Sequence, residues 1–190
     1  MTLIDQILDI DQSVLLYLNN LGSPKWDPFW LFVTNKLSSI PLYVFLFYLM
    51  VKKINKKSVL YLVLSIGSMI VFTDQITNLF KHSFQRLRPC AQEGVLELIR
   101  QSDCWGYGFF SGHSSNSMAV AVFVILMLKT SHKPWIYFMI LWSILVGYSR
   151  IYLGLHYPLD VLCGWAFGII SGTIFFTIFQ KLQTRFVQLQ

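Results

Sequence analysis

Three short stretches of this chain gather the residue types that can handle a phosphate group. "KHSFQRLRP" holds Lys81 and Arg88, "FFSGHSSNS" holds Ser111, Gly112 and His113, and "SRIYLGLHYPLD" holds Arg150, His156 and Asp160. A phosphate monoester carries nearly two negative charges at neutral pH, so cations must balance it before a nucleophile can approach. Guanidinium forks fit two of its oxygens at once, while lysine acts as a point charge. A neutral imidazole can attack phosphorus, and a second imidazole can give its proton to the departing oxygen. An aspartate near the first imidazole fixes which ring nitrogen carries the proton. These are the parts of a phosphoryl-transfer site.

Each stretch also has an ordinary reading. A basic run at a membrane edge touches lipid phosphates, and Ser114 or Ser115 can cap a helix beside an incidental histidine. Asp160 in a first helical turn suits the helix dipole, and Arg150 at a helix end can snorkel. Taken jointly, two histidines, one aspartate and three cations converge at helix ends on one face of a membrane bundle. Ionisable groups there are functional by default.

The elements that must position them are apolar helices. Of 190 residues, 55% are hydrophobic and 13% charged, against about 25% charged in a soluble domain. Mean hydropathy is +0.55. A hydrocarbon layer needs about 20 helical residues, and five stretches approach that: 27–51, 58–79, 114–129, 135–153 and 159–180. The first is imperfect because "TNKLSSIP" interrupts it, and the third is short unless "SSNS" continues the helix outward. Lys81 and Arg88, two turns apart, would share a helix face, and Arg88 before Pro89 should be extended and end that helix. The fold expected is all-α: an integral membrane bundle of about five transmembrane helices, forming a single domain over 1–190. Residues 1–25 form an amphipathic interfacial helix, with Leu3, Ile7, Ile10, Val14 and Leu18 as its apolar stripe. Asp5, Asp9 and Asp11 and the lack of basic residues there argue against a cleavable signal peptide.

The net charge of +6 does not imply nucleic acid, because the basic residues punctuate apolar segments. "KKINKK" (52–57), "KTSHK" (129–133) and the tail from Lys181 to Arg185 fall at alternate span ends, which is one side. The positive-inside rule makes that side cytoplasmic. The loop 80–113 and "SRIYLGLHYPLD" then face the exterior or periplasm across the cytoplasmic (inner) membrane. Cys90 and Cys104 share that outward loop, where both a disulfide and free thiols fit. No CxxC or HExxH spacing is present, so no metal and no cofactor are expected. Thr73, Asp74, Gln75, Thr77 and Asn78 form a polar patch in the second span, read as an interhelical hydrogen-bond cluster. His82 reads as a surface histidine, and Trp105, Tyr107, Phe109 and Phe110 can line a lipid entrance or an interfacial belt.

The combined spacing is Lys81–six residues–Arg88–Pro89, then Ser111–Gly112–His113, then Ser149–Arg150–five residues–His156–three residues–Asp160. It resembles the three-part motif of the type-2 phosphatidic acid phosphatase superfamily. One departure is Phe110, where that family usually has proline. The resemblance implies His156 as nucleophile, His113 as general acid and Asp160 as the partner orienting His156. Lys81, Arg88, Arg150, Ser111 and the Gly112 amide would form the phosphate cradle. Opposite protonation needs at the two imidazoles imply a bell-shaped pH profile. The activity implied is hydrolysis of a lipid phosphomonoester or diphosphate, without a metal, through a phosphohistidine. Undecaprenyl diphosphate, phosphatidylglycerol phosphate, phosphatidic acid and lipid A phosphates are the substrate candidates. The alternatives are a lipid phosphotransferase using the same phosphohistidine, a haloperoxidase, and a catalytically silent scaffold or transporter. Partners are the lipid phosphate and membrane lipids, and the oligomeric state is left open.

Overall fold

The structure, a computed structural model, describes residues 2–99, 104, 106–128 and 133–187; Trp105 and most of the 129–133 basic run lie outside them. Seven α-helices are formed among the described residues. They are α1 (Leu3–Asn20), α2 (Asp27–Thr34), α3 (Ile40–Val51), α4 (Ser58–Phe84), α5 (Gly112–Leu128), α6 (Lys133–Tyr152) and α7 (Pro158–Val187). The spans Ser58–Phe84, Pro134–Tyr152 and Pro158–Arg185 are long and apolar enough to cross a membrane, and α3 and α5 are shorter apolar helices. Leu60, Leu64 and Val71 on α4, Leu141 and Ile144 on α6, and Ile170 and Ile174 on α7 stay exposed, as lipid-facing side chains should.

α1 begins with a capping box between Thr2 and Asp5. Its apolar residues Leu3, Ile7, Ile10 and Val14 are all exposed, while the stripe facing the bundle is Asp11, Leu15 and Asn19. That apolar face is thus presented outward, and the helix meets the protein through Leu15 flanked by the polar Asp11 and Asn19.

The expected first span, 27–51, is two helices. Asn35 Oδ1 accepts from the Leu37 N–H at 2.8 Å, and Ser38 Oγ donates to the Asn35 carbonyl at 2.7 Å. These local bonds compete with the helical ladder, and Pro41 restarts the helix in its first turn. Interrupted backbone of this kind is tolerated at membrane depth where it lines a cavity.

α5 is the central helix, and its most extensive partner is α7. Gly164, Gly168 and Gly172 make that contact possible. A Cβ at these positions would stand 2.7, 2.6 and 2.5 Å from the carbonyl oxygens of Ser111, Ser115 and Ala119. The small-residue stripe lets the two backbones touch and fixes the start of α5 against the start of α7. At the opposite end, Lys53 Nζ donates to the Met127 carbonyl at 3.2 Å and Gln183 Nε2 to Ser58 Oγ at 3.4 Å. The ends of α3, α5 and α7 and the beginning of α4 therefore share one face.

α4 extends past the expected residue 79 and stops at Phe84, where Gln85 turns left-handed (φ 49°). Among the described residues between α4 and α5, Leu87 pairs with Tyr107 in an antiparallel bridge, and a disulfide joins Cys90 to Cys104, 14 positions on. A loop of this length closed by a disulfide contributes about 3 kcal/mol in the chain-entropy account. Replacing both cysteines by serine is expected to lower unfolding free energy by about that amount. Peptide mapping without reduction should recover the linked pair; alkylation of both thiols in the untreated protein would contradict it.

Candidate active site

The third motif is built at the junction of α6 and α7. After Tyr152 the chain reverses through Gly154 at φ 64°, and the Leu155 and His156 N–H groups both return to the Arg150 carbonyl, at 2.9 and 3.2 Å. That wrap lays His156 back over the helix end, almost fully buried. Asn19 of α1 closes the junction by donating to the Ile151 and Tyr152 carbonyls at 3.1 and 2.7 Å. Asp160 lies in the first turn of α7, with no exposed surface. Its Oδ2 accepts from the Tyr157 N–H at 3.1 Å and lies 3.4 Å from His156 Nδ1.

An ionised carboxylate only accepts, so a hydrogen bond between Asp160 and His156 must take its proton from the ring. The proton is therefore assigned to Nδ1, which leaves the Nε2 lone pair free. The 3.4 Å contact is long, as such contacts commonly are before substrate arrives. Burial, then the charges of Arg150, Arg88 and Lys81, holds the His156 imidazole well below its usual 6.5, with the Gly108 carbonyl opposing weakly. The folded protein thus keeps His156 neutral. As pH falls below the unfolded value of about 6.5, the unfolded chain takes up a proton that the site refuses, and this group's contribution to stability is lost. Gly108 allows the close approach: a Cβ there would stand 2.9 Å from Asp160 Oδ2.

His156 opens onto a cavity of about 810 Å³ that is also lined by Lys81, Arg88, Gly112, His113 and Arg150. Lys81 reaches it from the last turn of α4 and His113 from the first turn of α5. Arg88 is extended before Pro89 (φ −72°, ψ 154°), and its Nε donates to the Tyr107 carbonyl at 3.2 Å. Lys81 and Arg88 meet in the cavity although the helix ends between them, so a shared helix face is not what joins them. Arg150 is 7% exposed; one guanidinium nitrogen donates to Thr34 Oγ1 at 2.5 Å, and its buried Nε has no partner. Among the described residues, no carboxylate lies at ion-pair distance from Lys81, Arg88 or Arg150. A pocket of this kind suits an anion with several oxygens.

Two of the motif residues stand behind the cavity wall. Asp160 reaches it only through His156. Ser111, fully buried, caps α5: its Oγ accepts from the Ser114 N–H at 3.4 Å and the Ser114 hydroxyl at 3.0 Å. With Ser111 as the cap, the helix begins three or four residues earlier than a Ser114 or Ser115 cap would start it. Its N–H donates to the Asp160 carbonyl at 2.9 Å, tying the second motif to the third. Phe110 is buried against Phe80, Phe109 and Phe167, so aromatic packing holds the turn before Ser111. In the second span, Asn116 Nδ2 donates to Asp74 Oδ1 at 2.6 Å and Thr73 hydrogen-bonds Asn116, a link between α4 and α5 that also borders the cavity. His82 is exposed, edge-on to Tyr107.

Several neighbours of the site are not motif residues. Thr34, Asn35 and Lys36 line the cavity from the break between α2 and α3, and Lys36 is close enough to act electrostatically on His113 and Lys81. Arg86 bonds Asp160 Oδ1 at 2.9 Å and Asp11 at 2.6 Å. The cavity then continues away from the cations over Val44, Phe47, Met50, Ile70, Val120 and Val124.

The model of the PAP2 superfamily matches residues 58–184. The lipid A 4′-phosphatase of Bacteroides thetaiotaomicron is 35% identical over 189 residues, covering 96% of this chain and 83% of that protein. The crystal structure of Aquifex aeolicus LpxE has a TM-score of 0.64 at 28% identity, covering 87% of this chain and 93% of that one. A PAP2-type phosphatidylglycerolphosphate phosphatase from Bacillus subtilis has a TM-score of 0.72 at 21% identity, a likeness of fold over 95% of this chain and 89% of that one.

Proposed function

The chain belongs to the PAP2 superfamily and is a membrane lipid phosphatase, and from that premise we propose that it removes the 4′-phosphate of a lipid A-type saccharolipid through a phosphohistidine. The observation that carries the reading is the two-ended cavity. One end gathers two imidazoles and three cations with no carboxylate at ion-pair distance among the described residues, and the other is an apolar trench between α3, α4 and α5. A phosphate head fits the first and an acyl chain the second. Between them Asn35, Lys36, Asp74, Asn78 and Asn116 offer donors and acceptors suited to a sugar.

In the proposed reaction His156 Nε2 attacks phosphorus as the bond to the sugar oxygen breaks. Asp160 holds the Nδ1 proton and stabilises the charge that develops on the ring. His113, left neutral in the free enzyme by burial and nearby cations, is protonated as the phosphate dianion binds and gives that proton to the departing alkoxide, releasing the lipid alcohol. Water then attacks the phosphohistidine, His113 takes the proton from it, the P–N bond breaks and phosphate leaves. Lys81, Arg88 and Arg150 balance the equatorial oxygens throughout, with the Gly112 amide at the start of α5 beside them. Uncatalysed phosphomonoester hydrolysis is among the slowest known, with enhancements reaching ~10²¹, so fixed charge must supply most of the effect. The basic segments 52–57 and 181–185 lie at the far ends of the helices, which supports an active site facing the periplasm across the inner membrane.

Purified full-length protein in detergent, given a panel of lipid phosphates, should release free phosphate fastest from the 4′-position of lipid A. Preference for undecaprenyl diphosphate or phosphatidylglycerol phosphate would overturn the substrate, and label appearing on a second lipid would make it a phosphotransferase. With cations in the place of metal ions, EDTA should leave the rate unchanged. Inactivation by EDTA, reversed by magnesium, would contradict the mechanism.

A further inference from the structure

We propose that Arg86 and Asp11 are positioning residues for this reaction, a relay that holds Asp160 against His156 and makes α1 a working part of the active site. The inference rests on the reading of His156 as the reacting group. Of the two oxygens of Asp160, Oδ2 serves His156 and the Tyr157 N–H, while Oδ1 accepts from Arg86 at 2.9 Å. Arg86 in turn lies over the Tyr157 ring, 4.0 Å from its centroid, and its second terminal nitrogen donates to Asp11 Oδ2 at 2.6 Å.

Asp11 has two tasks. Its Oδ1 accepts from the Leu159 N–H at 2.8 Å, one of the free N–H groups in the first turn of α7. Its side chain, 1% exposed, is otherwise committed to Arg86. Burial pushes Asp11 up from the usual carboxylate range, and the hydrogen bonds from Arg86 and Leu159 pull it back. The guanidinium is thus clamped between a carboxylate of α1 and one of α7. Arg86 does not line the cavity, so any effect it has on the reaction must pass through Asp160. The opposite stripe of α1, with Leu3, Ile7, Ile10 and Val14, is exposed. Seating that stripe on the bilayer would press Asp11 onto the relay.

The charges that face the reacting pair are all identifiable. His156 sees Arg150 from α6, Arg88 from the loop, Lys81 from α4 and His113 from α5. Asp160 sees Arg86 and Arg88, with the titratable Tyr157 and Cys163 also near it, and Asp11 lies beyond Arg86. Removing the Arg86 charge leaves Asp160 less compensated, with Arg88 still facing it, which favours the imidazolium of His156. The acid limb of kcat/KM should therefore move to higher pH.

The test uses the full-length enzyme in detergent with a soluble aryl phosphate. Arg86→Gln should lower kcat about 10- to 100-fold, with KM within about twofold of wild type and the acid limb displaced upward. Arg86→Lys should restore the limb to its wild-type position and recover part of kcat. Asp11→Asn should lower kcat in the same direction, and the double variant should fall no further than Arg86→Gln alone, because the two act as one unit. A merely structural role lowers the denaturation temperature without moving the limb. Arg86→Gln with an unmoved limb or unchanged kcat, or strictly additive losses, would overturn the relay. A wild-type enzyme that releases no phosphate from any substrate would instead overturn the function itself.

Discussion

Replacing His156 by alanine is expected to lower kcat by about 10⁴-fold or more, the scale on which losing a triad member acts, and to leave no phosphoenzyme. His156 is 1% exposed and lines the cavity, and its Nδ1 lies 3.4 Å from Asp160 Oδ2, which leaves Nε2 for the phosphate. Burial and the surrounding cations keep it unprotonated, so it is a neutral nucleophile placed among the charges that would bind the phosphate. His156→Gln retains an N–H donor for Asp160 and serves as the folding control. It should be as inactive as alanine while staying folded. Substantial turnover of a lipid substrate by either variant would mean that water attacks phosphorus directly.

Arg150→Met is expected to separate activity from stability. The guanidinium is buried, its Nε has no partner, and its neighbours among the described residues offer a threonine hydroxyl but no carboxylate at ion-pair distance. An uncompensated buried ion costs several kcal/mol after relaxation, whereas methionine fills much of the same space without the charge. The free variant should therefore be at least as stable as wild type. Its kcat/KM should fall by roughly 10²- to 10³-fold, the loss found for one oxyanion-binding donor. Vanadate, a phosphate mimic, should stabilise wild type by about 2.7 kcal/mol at one hundred times its Kd and the variant scarcely at all. A variant that loses stability while still responding to vanadate would show that Arg150 is a structural cation.

What could be read from the sequence was the part that depends on residue type and short spacing. Lys81, the four motif histidines and arginines (Arg88, His113, Arg150 and His156) and Asp160 lie near helix ends in the chain, and helix ends follow from apolar runs bounded by Pro89, Gly112 and Pro158. The break at 35–39 was legible only as an imperfection, because a polar interruption does not reveal whether a helix bends or stops. Asn35 and Ser38 decide that, by bonding their own neighbourhood. Asp11 and Arg86 were not legible as partners: they are 75 residues apart, and α1 was oriented by its apolar stripe, which the structure turns outward. The signal that could have found them is the polar pair Asp11 and Asn19 flanking Leu15 on one helix face. Gly164, Gly168 and Gly172 carried a readable small-residue spacing as well, and it dictates which helix lies closest to α7. Ser111 could be placed beside the histidine by sequence, but only coordinates separate a cap from a cavity-lining group, since a serine does either with the same hydroxyl.

The account depends on one event, formation of a P–N bond at His156 inside a pocket shared with His113. Rapid-quench trapping with radiolabelled lipid substrate, followed by peptide mapping, addresses it directly. An acid-labile, alkali-stable label on the peptide containing His156, formed at least as fast as turnover, is the predicted result. Turnover with no label on that peptide, or with label on a different residue, would contradict it.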